Sequence, residues 1–203
     1  MEGSAKKEGK ESEWCAVCHD GGDTLYCCDN CPKVYHMFCY IPPLTSEPAD
    51  DWVCLMCSSV TEIRAVMVDV VRGRTLHSYH SYFQLSSKVK KGHGKLSDRD
   101  LKTCRRLLFE MYNMWPESVP FRDCGDLNFP AYLEKIKDPI ALDVIKERLD
   151  EENPDQYCSV RDFVADLRKM FRNCFTFNLK ESEIYKHAQK LEGKLDQLLQ
   201  VYS

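Results

Sequence analysis

The sequence lacks any long apolar run. Its longest stretches without a charged residue, 34–46 and 75–87, have 13 residues each, whereas a membrane span needs about 18 or more. The first ten residues have no apolar core, so no secretory signal peptide is predicted. With 43% hydrophobic and 30% charged residues, the composition also excludes a disordered chain and a collagen-like chain. A length of 203 residues predicts one or two domains.

Cysteine, by contrast, is abundant and unevenly distributed. Eight of the twelve cysteines lie within residues 15–57. Because no secretory signal is predicted, disulfides are not expected. A dense cysteine cluster in a reducing compartment is more typical of a metal site.

Charge divides the chain into three regions. Lys and Arg number 4 against 10 Asp and Glu in residues 1–57, 7 against 2 in 58–95, and 17 against 20 in 96–203. The sequence thus predicts an acidic module at 11–58, a basic linker at 59–95 and a third module at 96–203. The acidic module favours a cationic partner, since complementary charge speeds and orients encounter.

The cysteine cluster has the spacing of zinc ligands. Its closely spaced pairs are Cys15 and Cys18, Cys28 and Cys31, His36 and Cys39, and Cys54 and Cys57. Eight ligands fill two tetrahedral sites without an open position, so two structural zinc ions are predicted. A segment this short cannot bury enough apolar surface by itself, and the zinc must supply the missing folding free energy. Cys27 is a ninth candidate, but the spacing to Cys31 favours Cys28.

The order of the ligands resembles that of a known zinc module. His36 is the fifth ligand in the series, Tyr35 precedes it, and Trp52 lies two residues before Cys54. Residues 13–57 therefore resemble a PHD finger, a small zinc-stabilised α+β module. The resemblance implies an interleaved cross-brace, in which one zinc is held by Cys15, Cys18, His36 and Cys39 and the other by Cys28, Cys31, Cys54 and Cys57.

PHD fingers are usually readers of histone tails, and the resemblance implies that a peptide pairs with the backbone of segment 25–29. Readers of trimethylated lysine typically carry a Trp where this chain has Val34. Carboxylates instead flank the first ligand pair, and these favour an unmodified lysine, because a trimethylated one has no N–H to donate. The expected ligand is the unmodified histone 3 N-terminal tail. The predicted contact residues are Glu11, Glu13, Trp14, Asp20, Asp23, Leu25, Tyr26, Cys27, Asp29 and Trp52. A plain solvated turn is the alternative for residues 20–23.

The linker at 59–95 has no clear repeat. Its apolar run at 63–71 fits a strand or a packed helix segment equally well. The stretch 88–95 contains four lysines, for which a weak contact with nucleic-acid phosphates or a role in nuclear import is an alternative to solvation.

From residue 96 onward the apolar residues recur at three- and four-residue steps, which is typical of amphipathic helices. Four helices are predicted, starting at Ser97, Asp138-Pro139, Ser159 and Ser182. Together they predict an all-α four-helix bundle. The loop of about 23 residues between the first two helices is longer than a simple connection, as functional loops often are.

Motifs in this half resemble those of the bromodomain, a left-handed four-helix bundle. The resemblance covers residues 97–202 and rests on Val119-Pro120-Phe121, Tyr132, Ile136, Asp138-Pro139-Ile140 and the run from Asn173 to Asn178. It implies a slot for acetyl-lysine, whose carbonyl accepts a hydrogen bond from Asn178 while Tyr132 acts through an ordered water. Only a discharged lysine can be buried without a counterion, and its amide oxygen must still find a donor. The predicted slot residues are Val119, Pro120, Phe121, Gly125, Phe129, Tyr132, Phe177, Asn178 and Ile184.

Two features of the slot leave alternatives open. Cys124-Gly125 stands where the family usually has Pro-Val, so the slot is expected to be wide or to bind weakly. Asn178 is also suited to satisfying the local backbone at a helix end.

The succession of the two modules resembles the C-terminal cassette of the tripartite-motif transcriptional intermediary factors, with the speckled-protein family as runner-up. Cys-Ala-Val-Cys at 15–18 and Phe-Val-Ala-Asp at 163–166 carry this resemblance. It implies a nuclear, non-catalytic chromatin reader that binds the histone 3 tail and acetylated histones on nucleosomes, without a membrane partner. The alternatives are a finger-assisted SUMO or ubiquitin ligase cassette and an interaction scaffold that has lost acetyl-lysine binding. No nucleophile–base pair points to independent catalysis.

Overall fold

The computed structural model describes residues 12–57, 95–125 and 129–201. The chain divides between residues 58 and 59 into two compact units, which we call the finger (12–57) and the bundle (95–201). Glu11 and nearly all of the linker lie outside the described residues, so the predictions for them stay predictions. No helix in the described ranges is long and apolar enough to cross a membrane.

The finger is built on a two-stranded sheet. Strand β1 (Leu25–Cys27) pairs antiparallel with β2 (Val34–His36), and Tyr26 lies opposite Tyr35. The other edge of β2 is covered by a parallel bridge between Cys15 and Val34. Two 3-10 turns, Met37–Cys39 and Leu55–Cys57, follow. Each strand or turn therefore lies beside zinc-ligand positions.

A small aromatic core supports this sheet. Tyr35 is fully buried, and its ring centroid lies 5.4 Å from that of Tyr40 in an edge-to-face arrangement. Trp52 contacts Tyr40 in a similar geometry, with centroids 5.1 Å apart. Val17, Val34 and Ile41 are also buried in the finger. A core of this size is typical of modules that depend on metal for folding.

The described residues of the bundle form three long helices and two short ones. They are α1 (Asp98–Tyr112), α2 (Pro130–Lys135), α3 (Leu142–Glu147), α4 (Val160–Phe177) and α5 (Glu183–Val201). A 3-10 turn, Val119–Phe121, lies within the long loop after α1. Helix α4 packs against both α1 and α5. The fully buried Leu107, Phe171 and Leu195, one from each long helix, lie in this core.

Three of the four predicted helix starts are confirmed. The Ser97 side chain accepts a hydrogen bond from the backbone N–H of Asp100, and Ser159 accepts one from Asp162 in the same way. Ser182 immediately precedes α5, and its hydroxyl accepts a hydrogen bond from the N–H of Tyr185. These caps satisfy N–H groups that have no partner inside the helix.

The predicted helix start at Asp138-Pro139 is wrong. Helix α3 begins three residues after the proline, and its N-cap, Ala141, makes no side-chain hydrogen bond. The Asp138 carboxylate instead pairs with Lys169, 2.7 Å away. The backbone carbonyl of Asp138 accepts a hydrogen bond from the side chain of Asn173. Asp138 therefore ties the loop to α4 rather than capping a helix.

Candidate zinc centres and ligand-binding sites

The structure brings the eight predicted zinc ligands together in two sets. Their members are Cys15, Cys18, His36 and Cys39 in one, and Cys28, Cys31, Cys54 and Cys57 in the other. In each set the four ligand atoms lie within 4.8 Å of one another. The predicted interleaved pairing is confirmed.

Distances within the sets fit tetrahedral zinc. The Sγ atoms of Cys31 and Cys54 are 3.8 Å apart, and His36 Nδ1 lies 3.3 Å from Cys18 Sγ and 3.8 Å from Cys39 Sγ. A tetrahedron with Zn–S arms of about 2.3 Å has edges of about 3.8 Å. Both clusters thus fit a zinc ion whose four positions are all filled by protein, which is a structural site.

Neighbouring thiols and burial shift the pKa values of cysteines in both sets. Hydrogen bonding with the Cys39 thiol lowers the pKa of Cys15 to about 4, whereas burial raises the pKa of Cys54 to about 11. Crowded thiolates repel one another, so a set of three or four ionises together only around a positive charge. A divalent ion supplies that charge, and protons compete with it for the sulfur atoms.

The choice between Cys27 and Cys28 is settled by their burial. Cys28 is 7% exposed, and its Sγ accepts a hydrogen bond from the backbone N–H of Cys54. Cys27 is exposed and belongs to neither ligand set. Cys27 is the last residue of β1 and Cys28 follows it directly. Adjacent residues in extended backbone point to opposite sides, so one of them can be a ligand while the other is not.

Gly22 lies against the first zinc set. Its φ of +141° is one that L side chains rarely adopt, and a Cβ there would lie 3.6 Å from His36 Nε2. Glycine fits this position because it has no Cβ.

The outer edge of β1 is the candidate peptide-binding edge. Among the described residues of the finger, β1 pairs with β2 alone, so its opposite edge keeps backbone groups that another chain can pair with. Leu25 and Tyr26 are half-buried, while Cys27 and Asp29 are exposed.

Acidic side chains predominate in the finger. Residues 12–57 contain seven carboxylates and one lysine, and Glu13, Asp20 and Asp23 are exposed. The N–H of Cys15 donates to the carbonyl of Asp20 over 3.0 Å, so the segments carrying Glu13 and Asp20 run next to each other. The structure therefore brings together part of the predicted acidic flank.

The two predicted tryptophan contacts differ in their surroundings. Trp14 is 57% exposed, and its ring lies against Gly21, where a Cβ would be 3.6 Å from a ring carbon. Trp52 is half-buried, and its ring packs in the aromatic core with Tyr35 and Tyr40. A peptide-binding role for Trp52 stays a prediction, and so does one for Tyr26, whose hydroxyl donates to Glu47 over 3.3 Å.

In the bundle, three predicted slot residues form an aromatic cluster. The ring centroids are 4.9 Å apart for Tyr132 and Phe177, 5.5 Å for Phe129 and Phe177, and 5.6 Å for Phe129 and Tyr132. Tyr132 is 4% exposed and Phe129 is 42% exposed. One end of this group is therefore the buried phenol of Tyr132, and the other is the exposed ring of Phe129. We call Phe129, Tyr132 and Phe177 the aromatic cluster.

Asn178 lies at the end of α4, directly after Phe177. Its side-chain Nδ2 donates to the Cys174 carbonyl over 3.0 Å and approaches Cys174 Sγ at 3.5 Å, and its backbone N–H donates to the same carbonyl. The Cys174 thiol in turn donates to the carbonyl of Ile184. Cys174 therefore links Asn178 to Ile184. The sequence analysis missed this role of Cys174, although Cys174 and Asn178 are four residues apart and such a spacing puts two residues on one face of a helix.

The remaining predicted slot residues lie along the loop after α1. Phe121 is 5% exposed, whereas Val119 is 45% exposed and Pro120 is also exposed. Gly125 is exposed and donates its N–H to Asp123 Oδ1 over 2.9 Å. A lysine that the sequence analysis did not single out, Lys135, lies over the Phe177 ring at 5.8 Å from its centroid.

Comparison with known protein families gives two matches. The PHD-finger model matches residues 15–57, and the Bromodomain model matches residues 104–190. The chain therefore carries a PHD finger followed by a bromodomain, and both are reader modules rather than catalytic domains.

Among curated relatives, E3 ubiquitin-protein ligase TRIM33 of Homo sapiens is 35% identical over 198 residues, which are 96% of this chain and 16% of that protein. Tripartite motif-containing protein 66 of Homo sapiens is 34% identical over 185 residues, 90% of this chain and 13% of that protein. Bromodomain adjacent to zinc finger domain protein 2B of Mus musculus is 26% identical over 84% of the chain and 10% of that protein. The PHD–bromodomain cassette thus matches that of the tripartite-motif transcriptional intermediary factor family, and the chain spans no more than about one-sixth of these relatives.

Proposed function

We propose that the chain is a nuclear chromatin reader whose bundle binds acetyl-lysine and whose finger binds the unmodified histone 3 N-terminal tail. The observation that carries the proposal is the aromatic cluster of Phe129, Tyr132 and Phe177, whose last member directly precedes Asn178 at the end of α4. Apolar walls next to one amide donor suit a neutral acetyl-lysine, because a charged lysine would lose its hydration there without a counterion.

The hydrogen-bonding capacity of Asn178 supports this assignment. A side-chain amide nitrogen carries two hydrogens, and the Cys174 carbonyl accepts one of them. Nδ2 also donates to Cys174 Sγ over 3.5 Å. Sulfur is a weak acceptor, so an acetyl carbonyl can replace it as the partner of the second hydrogen. Burial raises the pKa of Tyr132 above its usual value, so its phenol keeps its proton at neutral pH and can act through a water.

Charge and edge geometry support the role of the finger. The outer edge of β1 offers backbone pairing to an extended peptide, and the carboxylates of Glu13, Asp20 and Asp23 are exposed around the first zinc set. Carboxylates attract the lysine and arginine side chains of a histone tail and can accept hydrogen bonds from an unmodified ammonium. Nucleosomes are the expected physiological partner, and the basic linker is proposed to add a weak contact with nucleic acid.

The test is calorimetry with four histone 3 tail peptides. One is unmodified, one is trimethylated at the fourth-position lysine, one is acetylated at a lysine further along, and one carries both modifications. The unmodified N-terminus combined with an acetyl-lysine should bind most tightly, since two linked sites reinforce each other when one peptide spans both. Asn178→Ala should abolish the gain from acetylation and leave finger binding unchanged. Asn173→Ala is the matched control, because that amide on the same helix donates to Asp138 instead.

One observation also fits a second function for the bundle, that of an interaction scaffold. Both the backbone N–H and Nδ2 of Asn178 already serve the Cys174 carbonyl, as they would in a scaffold that binds no acetyl-lysine. If acetylation at any position adds nothing to the affinity of the unaltered chain, the bundle is such a scaffold and the proposal for it fails.

A further inference from the structure

The loop after α1 is attached to the end of that helix by a small polar network. Tyr112 is the last residue of α1, so its carbonyl has no acceptor role within the helix. Ser118 is fully buried, and its hydroxyl donates to this carbonyl over 3.3 Å.

Arg122 completes the network. Its Nη2 donates to the Tyr112 carbonyl and to Ser118 Oγ, both over 3.1 Å, and its Nε donates to Ser118 Oγ over 3.3 Å. The guanidinium carbon also lies 5.7 Å from the centroid of the Tyr112 ring. A cation at a helix C-terminus is favourable, and the planar fork of arginine satisfies two acceptors at once.

The same arginine is held from its other side by α3. Its backbone carbonyl accepts a hydrogen bond from the N–H of Asp143 over 2.9 Å, and the Asp143 carboxylate accepts a weaker one from the N–H of Cys124 at 3.4 Å. The 3-10 turn Val119–Phe121 therefore lies between Ser118 and Arg122, which are tied to each other and to the end of α1.

A second link on this loop is more exposed. Lys190 of α5 pairs with Glu117 at 2.8 Å, but the lysine side chain is 60% exposed. Exposed ion pairs contribute little because water and salt screen them. The half-buried guanidinium of Arg122 is the stronger candidate for fixing the turn.

We propose that Arg122 is a positioning residue for acetyl-lysine binding. By joining Ser118 to the Tyr112 carbonyl, it holds the turn that carries Val119 and Pro120, two exposed residues predicted to line the slot. The inference rests on the proposed function of the bundle. These contacts hold the turn to α1 and α3 on the N-terminal side of Gly125, which has no side chain to pack.

The test compares Arg122→Met, which keeps an apolar stem but removes every donor, with Arg122→Lys and two controls. Arg122→Met should weaken binding of an acetylated histone 3 peptide roughly tenfold. Arg122→Lys should restore part of that loss, since an ammonium keeps the charge but not the fork. Lys190→Met should change the affinity less than about twofold. Arg161→Met replaces an exposed arginine at the opposite end of α4 from Asn178 and should change nothing.

Hydrogen exchange separates positioning from general stability. In Arg122→Met, the amides of residues 118–124 should exchange about tenfold faster, while those of α4 and α5 keep the protection of the unaltered chain. Unchanged affinity and unchanged exchange in Arg122→Met would overturn the inference. Uniformly faster exchange throughout the bundle would also overturn it, because Arg122 would then be only a stability residue. If the unaltered chain binds no acetylated peptide, the proposed function of the bundle fails, and the role of Arg122 in binding fails with it. In that case the hydrogen-exchange data alone decide whether Arg122 holds the turn.

Discussion

Replacing one sulfur atom with oxygen at Cys28 should unfold the finger, whereas the same replacement at the adjacent Cys27 should not. Cys28 Sγ belongs to the second zinc set and also accepts a hydrogen bond from the N–H of Cys54. Cys27 is exposed and in neither set. The two variants carry the same chemical change, and zinc occupancy reports directly whether a ligand is lost.

The magnitude follows from how little else holds the finger together. Its core centres on Tyr35, Tyr40 and Trp52 within 46 described residues. Each structural zinc contributes about 10–16 kcal/mol of apparent folding free energy, while the net stability of a whole domain is about 5–15 kcal/mol. Losing one tetrahedral site is thus expected to remove the entire margin of the finger, even if the other set keeps its four ligands.

Native mass spectrometry and far-UV circular dichroism measure this outcome. The unaltered chain and Cys27→Ser should each carry two zinc ions, and Cys28→Ser should carry one or none. The helical signal should persist in all three proteins, because the bundle has its own core. Two zinc ions retained in Cys28→Ser, or zinc lost in Cys27→Ser, would refute the ligand assignment; collapse of the helical signal would refute the independence of the units.

Three further outcomes are expected. Asp23→Ala should weaken binding of an unmodified histone 3 tail about fivefold, and trimethylation of the fourth-position lysine should weaken binding to the unaltered finger; tighter binding of the trimethylated peptide in calorimetry would contradict the acidic-flank assignment. Burial raises the pKa of Glu192 above its usual value, so its stabilising contribution is present at low pH and is lost as the pH rises through the raised pKa. Glu192→Gln should therefore raise the thermal midpoint at pH 7 but not at pH 4, and equal midpoints at pH 7 would count against it. Leu167→Ala should cost about 2–5 kcal/mol in denaturant unfolding because Leu167 is fully buried, whereas Leu179→Ala, at a position 77% exposed, should stay within about 0.5 kcal/mol.

The features that sequence predicted well are those decided over a few residues. Cys28 and Cys31 can bind the same zinc ion because the two residues between them bring both sulfurs to one side of a turn. The Ser97 and Ser159 hydroxyls each accept a hydrogen bond from the backbone N–H of the residue three positions later, so both partners can be identified from the sequence. Each of these predictions needed no knowledge of the tertiary structure.

The failures lie where distant residues decide. The carboxylate of Asp138, which would have to cap the predicted helix, pairs instead with Lys169, 31 residues away. Helix α2 has only six residues, too few for a 3.6-residue period to show. Arg122 finds the Tyr112 carbonyl only after the loop folds back, and spacing along the chain does not reveal that contact.

The shared carbonyl of Cys174 also fixes which way the Asn178 amide faces. Because a carbonyl oxygen can only accept, the NH₂ group and not the amide oxygen must turn toward it. The side chain is thus preorganised, and a ligand that reaches it need not restrict a freely rotating group, a restriction that costs about 0.5–1.5 kcal/mol per side chain. A glutamine at this position would have one more rotatable bond to order, so even the conservative change Asn178→Gln sacrifices the entropic advantage that the short side chain provides.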